Sequence, residues 1–201
     1  KPFDELAMRL AEEGKWSDLL LSTEQRQLFR RVARDHFVGL GEYGPPELGT
    51  VTGSNAYFTL SEETRRQYSL VEGLDVQPIS PPGTRHFRGL TFGTADWERL
   101  QQAGEPVWIL CPRADRHTAG LIRYLRLGKE LDVDKAYKCG VRKPWWRPPL
   151  VKPPDLFFTY MSHRYPRIVA NRAGVSFVNS MHGIRLRPEA PRITKPALPL
   201  L

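Results

Sequence analysis

At 201 residues the chain is long enough for one compact domain, or one domain with a small helical attachment, to bury a core. Apolar residues at 40% and charged residues at 26% are ordinary globular values, which excludes wholesale disorder despite eighteen prolines. The formal net charge of +8 favours a polyanionic partner, and with neither an apolar run long enough for a bilayer nor a signal-peptide core at Lys1–Glu5, a cytoplasmic protein without membrane contact is expected.

In chain order, Phe3, Leu6 and Leu10, then Leu19 to Leu21 with Leu28 and Val32, predict two short amphipathic helices, the second capped near Ser22 or Thr23. A Gly- and Pro-rich break from Gly39 to Gly49 follows, so the chain reads as a helical lead-in over 1–35 and a main domain over 36–201. Thr50 to Leu60 alternates like a strand or tight strand pair, and Pro78 to Gly83 reads as a loop. Thr94 to Ala103 predicts a helix capped by Thr94, Pro106 to Leu110 a short buried strand, and Thr118 to Leu127 another helix. From Lys138 onward, prolines at 144, 148, 149, 153, 154 and 166 divide the chain into short strands at Leu156 to Met161, Ile168 to Ala170 and Val175 to Val178. The expected class is α+β, a mixed short-stranded sheet with flanking helices, preceded by the helical lead-in. Cys111 and Cys139 lack ligand spacing and read as free thiols.

The positive charge is not spread evenly. Residues 1–30 carry five cations against six anions, whereas residues 138–187 carry ten cations against Asp155 alone. These cations are interleaved with Trp145, Trp146, Tyr160, His163, Tyr165, Asn171, Asn179 and His182, the mixture that contacts phosphates and base edges.

Two motifs offer catalytic chemistry and lack its context. Asp35 to Gly44 contains a GxGxxG and resembles a loop that holds S-adenosylmethionine, but it follows a helical pattern instead of a strand. Ser80-Pro81-Pro82-Gly83 is the nearest match to the motif that grips a flipped adenine, yet glycine cannot stack on a base. The five histidines show no paired metal-ligand spacing and no nucleophile elbow is present, so no catalytic or metal residue is assigned.

Two stretches carry a resemblance. Leu48-Gly-Thr-Val-Thr-Gly-Ser-Asn-Ala-Tyr-Phe-Thr-Leu60 resembles the Gly-x-x-Thr-Gly-x-Asn-x-x-Phe segment that opens the specificity region of N6-adenine DNA methyltransferases. Cys139 to Pro149, Pro154 to Met161, Arg167-Ile-Val-Ala-Asn171 and Val178-Asn-Ser-Met-His-Gly183 are similar, in order, to that family's Arg-x-Pro-Trp-aromatic, Pro-x-Leu, Arg-x-x-x-Asn and Asn-x-x-His elements. The resemblance implies a C-terminal target-recognition domain of the TaqI-like or type IIG restriction-modification kind. It places S-adenosylmethionine and methyl transfer in a catalytic domain preceding this one in the parent chain, with double-stranded DNA as partner. The apolar ending Pro196 to Leu201 accords with a fragment of such a parent.

The candidate DNA-binding residues are Arg142, Lys143, Trp146, Arg147, Lys152, Arg164, Arg167, Asn171, Arg172, Asn179 and His182, with Gly53 and Asn55 from the first stretch. Each has a structural reading beside the functional one: Gly53 and Asn55 can make a bend, the asparagines can cap turns, and one of the adjacent tryptophans belongs in the core. Two rival functions remain open: a complete small S-adenosylmethionine-dependent methyltransferase, using Phe37 to Gly41, and an RNA-binding or protein-interaction module.

Overall fold

The computed structural model describes residues 21–159 and 166–189. The chain divides into two compact units, residues 1–42 and 43–201. In the first, helix α1 (Thr23–His36) begins at a capping box: Ser22 Oγ accepts from the Gln25 amide at 3.2 Å while Gln25 Oε1 accepts from the Ser22 amide at 2.9 Å. Two otherwise orphaned amides are thereby satisfied, which is why the helix starts where the sequence predicts. The helix expected at Phe3 to Leu10 lies outside the described residues. A single helical turn, α2 (Leu40–Tyr43), lies at the division between the units.

The second unit is mixed α+β, with a five-stranded and a three-stranded sheet. Its first half contains β1 (Pro46–Leu48), α3 (Asn55–Phe58), β2 (Thr59–Leu60), α4 (Glu62–Gln67), β3 (Val76–Pro78), β4 (Thr91–Phe92), α5 (Thr94–Gln102) and β5 (Trp108–Leu110). The second half contains α6 (Ala119–Glu130), α7 (Tyr137–Gly140), β6 (Leu156–Thr159), β7 (Arg167–Asn171) and β8 (His182–Ile184). The larger sheet has the order β1-β8-β6-β7-β4, antiparallel throughout except for β4 beside β7, and the smaller is antiparallel β2-β5-β3.

Each sheet has its own core. Tyr57, Phe58, Leu60, Val76, Trp108, Leu110, Leu121 and Tyr124 pack around the smaller sheet. Phe87, Phe92, Phe157, Val169, Phe177 and Met181 pack around the larger one. Ile79, Ile109 and Val178 form a third small cluster, where the chain passes between the sheets. Helix α6 comes so close to the first core that a Cβ on Gly128 would stand 2.5 Å from both the Tyr57 hydroxyl and the Trp145 ring, so the glycine is required despite its low helix propensity.

Several expectations are corrected. Thr50 to Leu60 is not a strand pair: the chain turns at Gly53 (φ +91°), makes the one-turn helix α3 and only then pairs as β2. The glycine-rich break conceals β1, which begins with a proline at the sheet edge, where a missing N–H does no harm. Helix α5 is capped from Gly93, whose amide donates to Asp96 Oδ2 at 2.9 Å, so Thr94 is its first residue instead of its cap. Val175 to Val178 makes only isolated bridges, and β3, β4, β8 and helices α2, α4 and α7 were not anticipated. Helix α6 has the expected Thr118 cap. Helix α4 is organised around Glu62, whose carboxylate accepts from Arg65, Arg66 and the Trp108 indole, an arrangement that draws its pKa down to about 2.

Candidate nucleic-acid interface

Three extended segments run side by side in the same direction between the two sheets. Thr50 bridges Val178 and Ile79 bridges Ser176, both in parallel sense, which places Ser176–Val178 between Thr50–Thr52 on one side and Ile79–Pro81 on the other, with the turns at Gly53, Asn179–Ser180 and Pro82–Gly83 directly beyond their ends. Backbone bonds from Thr50 N to Phe177 O (3.0 Å), from Asn179 N to Thr50 O (3.2 Å) and from Ser80 N to Ser176 O (2.9 Å) hold them. Because all three run one way, their C-terminal ends gather at one rim, where polar groups collect. Thr52 Oγ1 donates to Asn55 Oδ1 at 2.6 Å and accepts from the Ser54 amide at 3.2 Å. Asn55 Nδ2 faces Asn179 Oδ1 at 3.5 Å, and the Gly83 amide donates to Ser180 Oγ at 2.8 Å. Asn55, Asn179 and Ser180 remain half-buried, so their edges reach the surface while internal bonds fix their orientation.

The basic region is built onto this layer. Val151 is clamped by two buried hydroxyls: its amide donates to Thr50 Oγ1 at 3.0 Å and its carbonyl accepts from Ser176 Oγ at 2.6 Å, which leaves Lys152 exposed beside the clamp. Arg142 is directed inward. Its Nη2 donates to Thr52 O at 2.9 Å and to Trp145 O at 2.7 Å, its Nε also reaches Trp145 O, and the guanidinium lies 5.2 Å over the Phe58 ring. Burial lowers its pKa, and these carbonyls compensate the charge. The turn it secures presents Lys143 and Arg147 to solvent and half-buries Trp146 edge-on against His117 at 5.1 Å. Trp145 is the core tryptophan, packed on Tyr57 and Phe58.

The candidate residues therefore separate. Gly53, Asn55 and Asn179 meet at the rim; a Cβ on Gly53 would come 2.9 Å from Cys139 Sγ and 3.0 Å from Lys138 Cβ, so its left-handed turn is seated directly against α7. Lys143, Trp146, Arg147 and Lys152 lie on the attached turns. His182 is half-buried in β8, three residues beyond Asn179, opposite Leu48 and Phe158.

Asn171 is 4% exposed and consumed internally: Nδ2 donates to Pro154 O and Val175 O, each at 2.9 Å, and Oδ1 accepts from the Val175 amide. Arg167 is half-buried, with Nη1 donating to Phe87 O at 2.9 Å. Arg172 is exposed, but at the far end of Val175–Val178 from Asn179, and four extended residues alone span about 13 Å. Arg164 lies outside the described residues.

Sequence reasoning left Thr52, Lys138 and Ser180 off the candidate list, although Thr52 stands in the quoted threonine-glycine motif and Lys138 opens the basic region. It also passed over the exposed Arg85 and Arg88, whose signal was their place between Gly83 and Gly89. The two motifs with catalytic overtones have ordinary settings. Phe37 to Gly41 follows α1, not a strand, and Ser80 is buried with Oγ 2.8 Å from His86 Nε2. Cys111 and Cys139 are both free, and burial pushes both thiols up. Among the described residues, no group of acidic, histidine or cysteine side chains could hold a metal, and no helix is long and apolar enough to cross a membrane.

Residues 13–200 match the family model described as the C-terminal domain of the type II methyltransferase M.Eco57I. The type II methyltransferase M.AccI of Acinetobacter calcoaceticus is 23% identical over 150 residues, covering 74% of this chain and 27% of that relative. The chain thus spans about a quarter of the length of the curated relative it matches. No solved structure matches it.

Proposed function

The chain belongs to the family of C-terminal domains of M.Eco57I-like type II methyltransferases, and from that premise we propose that it is a target-recognition domain that binds double-stranded DNA sequence-specifically. The observation that carries the reading is the convergence of three parallel segments on one rim, where Asn55, Asn179 and Ser180 are held by bonds to the fold but keep exposed edges. Fixed amides and hydroxyls suit base edges, since a preset geometry spends little entropy on binding. Exposed Lys138, Lys143, Arg147 and Lys152 nearby supply the phosphate contacts that position a duplex without reading it.

In this reading the parent protein is a cytoplasmic S-adenosylmethionine-dependent N6-adenine methyltransferase of a restriction-modification system, and this domain chooses the site while a preceding domain flips and methylates the base. The described residues fit neither the cofactor nor a flipped adenine: the glycine-rich loop at Gly39 follows helix α1 instead of a strand, and the Ser80 hydroxyl of the adenine-like motif is buried against His86. No step of methyl transfer is therefore assigned to them.

The test is selection from a pool of randomised DNA duplexes by the 201-residue chain. Enrichment of one motif is the expected result, and binding that leaves the pool composition unchanged would remove the specificity claim. Competition with double-stranded RNA of matched length separates a DNA reader from an RNA-binding module.

A further inference from the structure

The turn from Thr84 to Gly89 is anchored at several points and sends its two cations outward. Ser80 Oγ meets His86 Nε2 at 2.8 Å, and the Gly83 amide is fixed on Ser180 Oγ at 2.8 Å. Arg167 Nη1 donates to Phe87 O at 2.9 Å, and the Phe87 side chain, 2% exposed, stacks on Phe157 with ring centroids 5.2 Å apart. Arg85 and Arg88 are exposed, and neither takes part in an ion pair among the described residues. The fold therefore fixes the backbone of this turn but makes no use of its charges. The Gly83–Ser180 bond places the turn at the rim, and the segment order places it across Ser176–Ser180 from Thr50–Asn55 and hence from the Arg142-held turn.

We propose that Thr84–Gly89 is a second DNA-backbone contact, with Arg85 and Arg88 taking phosphates on the side of the rim opposite Lys138 and Lys143. A duplex groove has a phosphate strand on each edge, and a reader seated in it needs cations on both flanks of the groups that face the bases. Of the cations in the basic region, Lys138 stands against the Gly53 turn and Lys143 lies on the turn tied to Thr52 O, both on the Thr50–Asn55 side. Charge held on an anchored backbone is preorganised for this role, because little further ordering is needed on binding. The inference rests on the reading of the rim as a duplex-DNA surface.

The experiment measures duplex affinity of the full chain across a salt series for the unchanged protein, R85A/R88A, R85K/R88K and R66A/R99A. The last pair removes the same formal charge from cations already paired with Glu62 and Asp96 on α4 and α5. Each phosphate contact contributes about 0.9 to the slope of log K against log salt, so R85A/R88A should flatten it by about 1.8, on all sequences alike. R85K/R88K should keep the slope, and R66A/R99A should leave it unchanged. A slope for R85A/R88A equal to that of the unchanged chain overturns the assignment of this turn and leaves the rim reading standing. Absence of salt-dependent duplex binding by the unchanged chain overturns both.

Discussion

Tyr57 and Tyr124 each donate the phenolic hydroxyl to the other's backbone carbonyl, at 2.9 and 2.8 Å, with their rings stacked 4.8 Å apart. The reciprocal pair joins α3 to α6, and α3 opens directly beyond the Gly53 turn at the rim. Burial raises both phenols above their ordinary pKa of 10. Replacing either by phenylalanine removes one bond and should cost about 1 kcal/mol in urea unfolding. An acid whose folded pKa is raised contributes stability that is complete below pH 10 and declines as the pH climbs beyond it. Alkaline unfolding curves should therefore be less steep for Tyr57→Phe and Tyr124→Phe than for the unchanged chain, while their DNA salt slopes stay the same.

Two asparagines from the same basic region should behave oppositely. Asn171→Ala would leave Pro154 O, Val175 O and the Val175 amide without their buried partner and should destabilise by about 1–3 kcal/mol, with no change in which DNA sequence is preferred. Asn179→Ala loses one long contact to Asn55 and should change stability by less than about 1 kcal/mol, yet relax discrimination at one base pair. Unfolding midpoints beside affinities on the selected duplex and its single-base variants would reveal a reversal of this pattern.

What could be read before the structure was what depends on near neighbours. Ser22 with Gln25 and Thr118 with Leu121 are three-residue events, so the two longest helices among the described residues were legible. Strand β1 was not, because it exists only by pairing with β8, and nothing in its proline-flanked sequence announces that partner. The same limit divides the candidate site. A count of cations cannot tell Arg142, whose guanidinium reaches the Thr52 carbonyl ninety residues away as well as Trp145 O, from Lys143 beside it, which faces solvent. The quoted motif at Thr52 and Gly53 did mark the rim, since left-handed turns and short polar side chains are written locally.

Acid should loosen the rim through His86. Burial depresses its pKa to about 4 from an ordinary 6.5, so between those values the unfolded chain binds a proton that the folded chain resists. For this depressed base the stability is complete above pH 6.5, declines as the pH falls toward 4, and changes no further below that. The loss should be roughly 1–3 kcal/mol, allowing for solvent at a half-buried ring. Glu62 acts in a lower window, from its ordinary 4.5 down to about 2, so the two effects separate between pH 7 and pH 5. His86→Gln should abolish most of the difference in unfolding free energy between those two pH values. An unchanged difference would exclude His86 as its source.

The exposed cations of the basic region should not contribute equally to DNA binding. Lys143 and Arg147 stand on the turn that Arg142 ties to Thr52 O, within the same structural unit as the rim. Arg172 carries the same charge and the same exposure, but it sits beyond the start of the extended Val175–Val178 segment, whereas Asn179 and Ser180 lie past its end. That extended segment alone spans about 13 Å, more than the roughly 10 Å over which salt at 0.1 M screens an exposed charge. The K143A/R147A pair should flatten the salt dependence by about 1.8, at about 0.9 for each phosphate, and R172A should leave it within about 0.3 of the unchanged chain. Lysine or arginine replacements that keep the charge should restore the slope. Titrations of a fluorescent duplex at four salt concentrations measure it directly, and a slope loss for R172A as large as half that of the pair would move the DNA-binding face toward the other end of the segment.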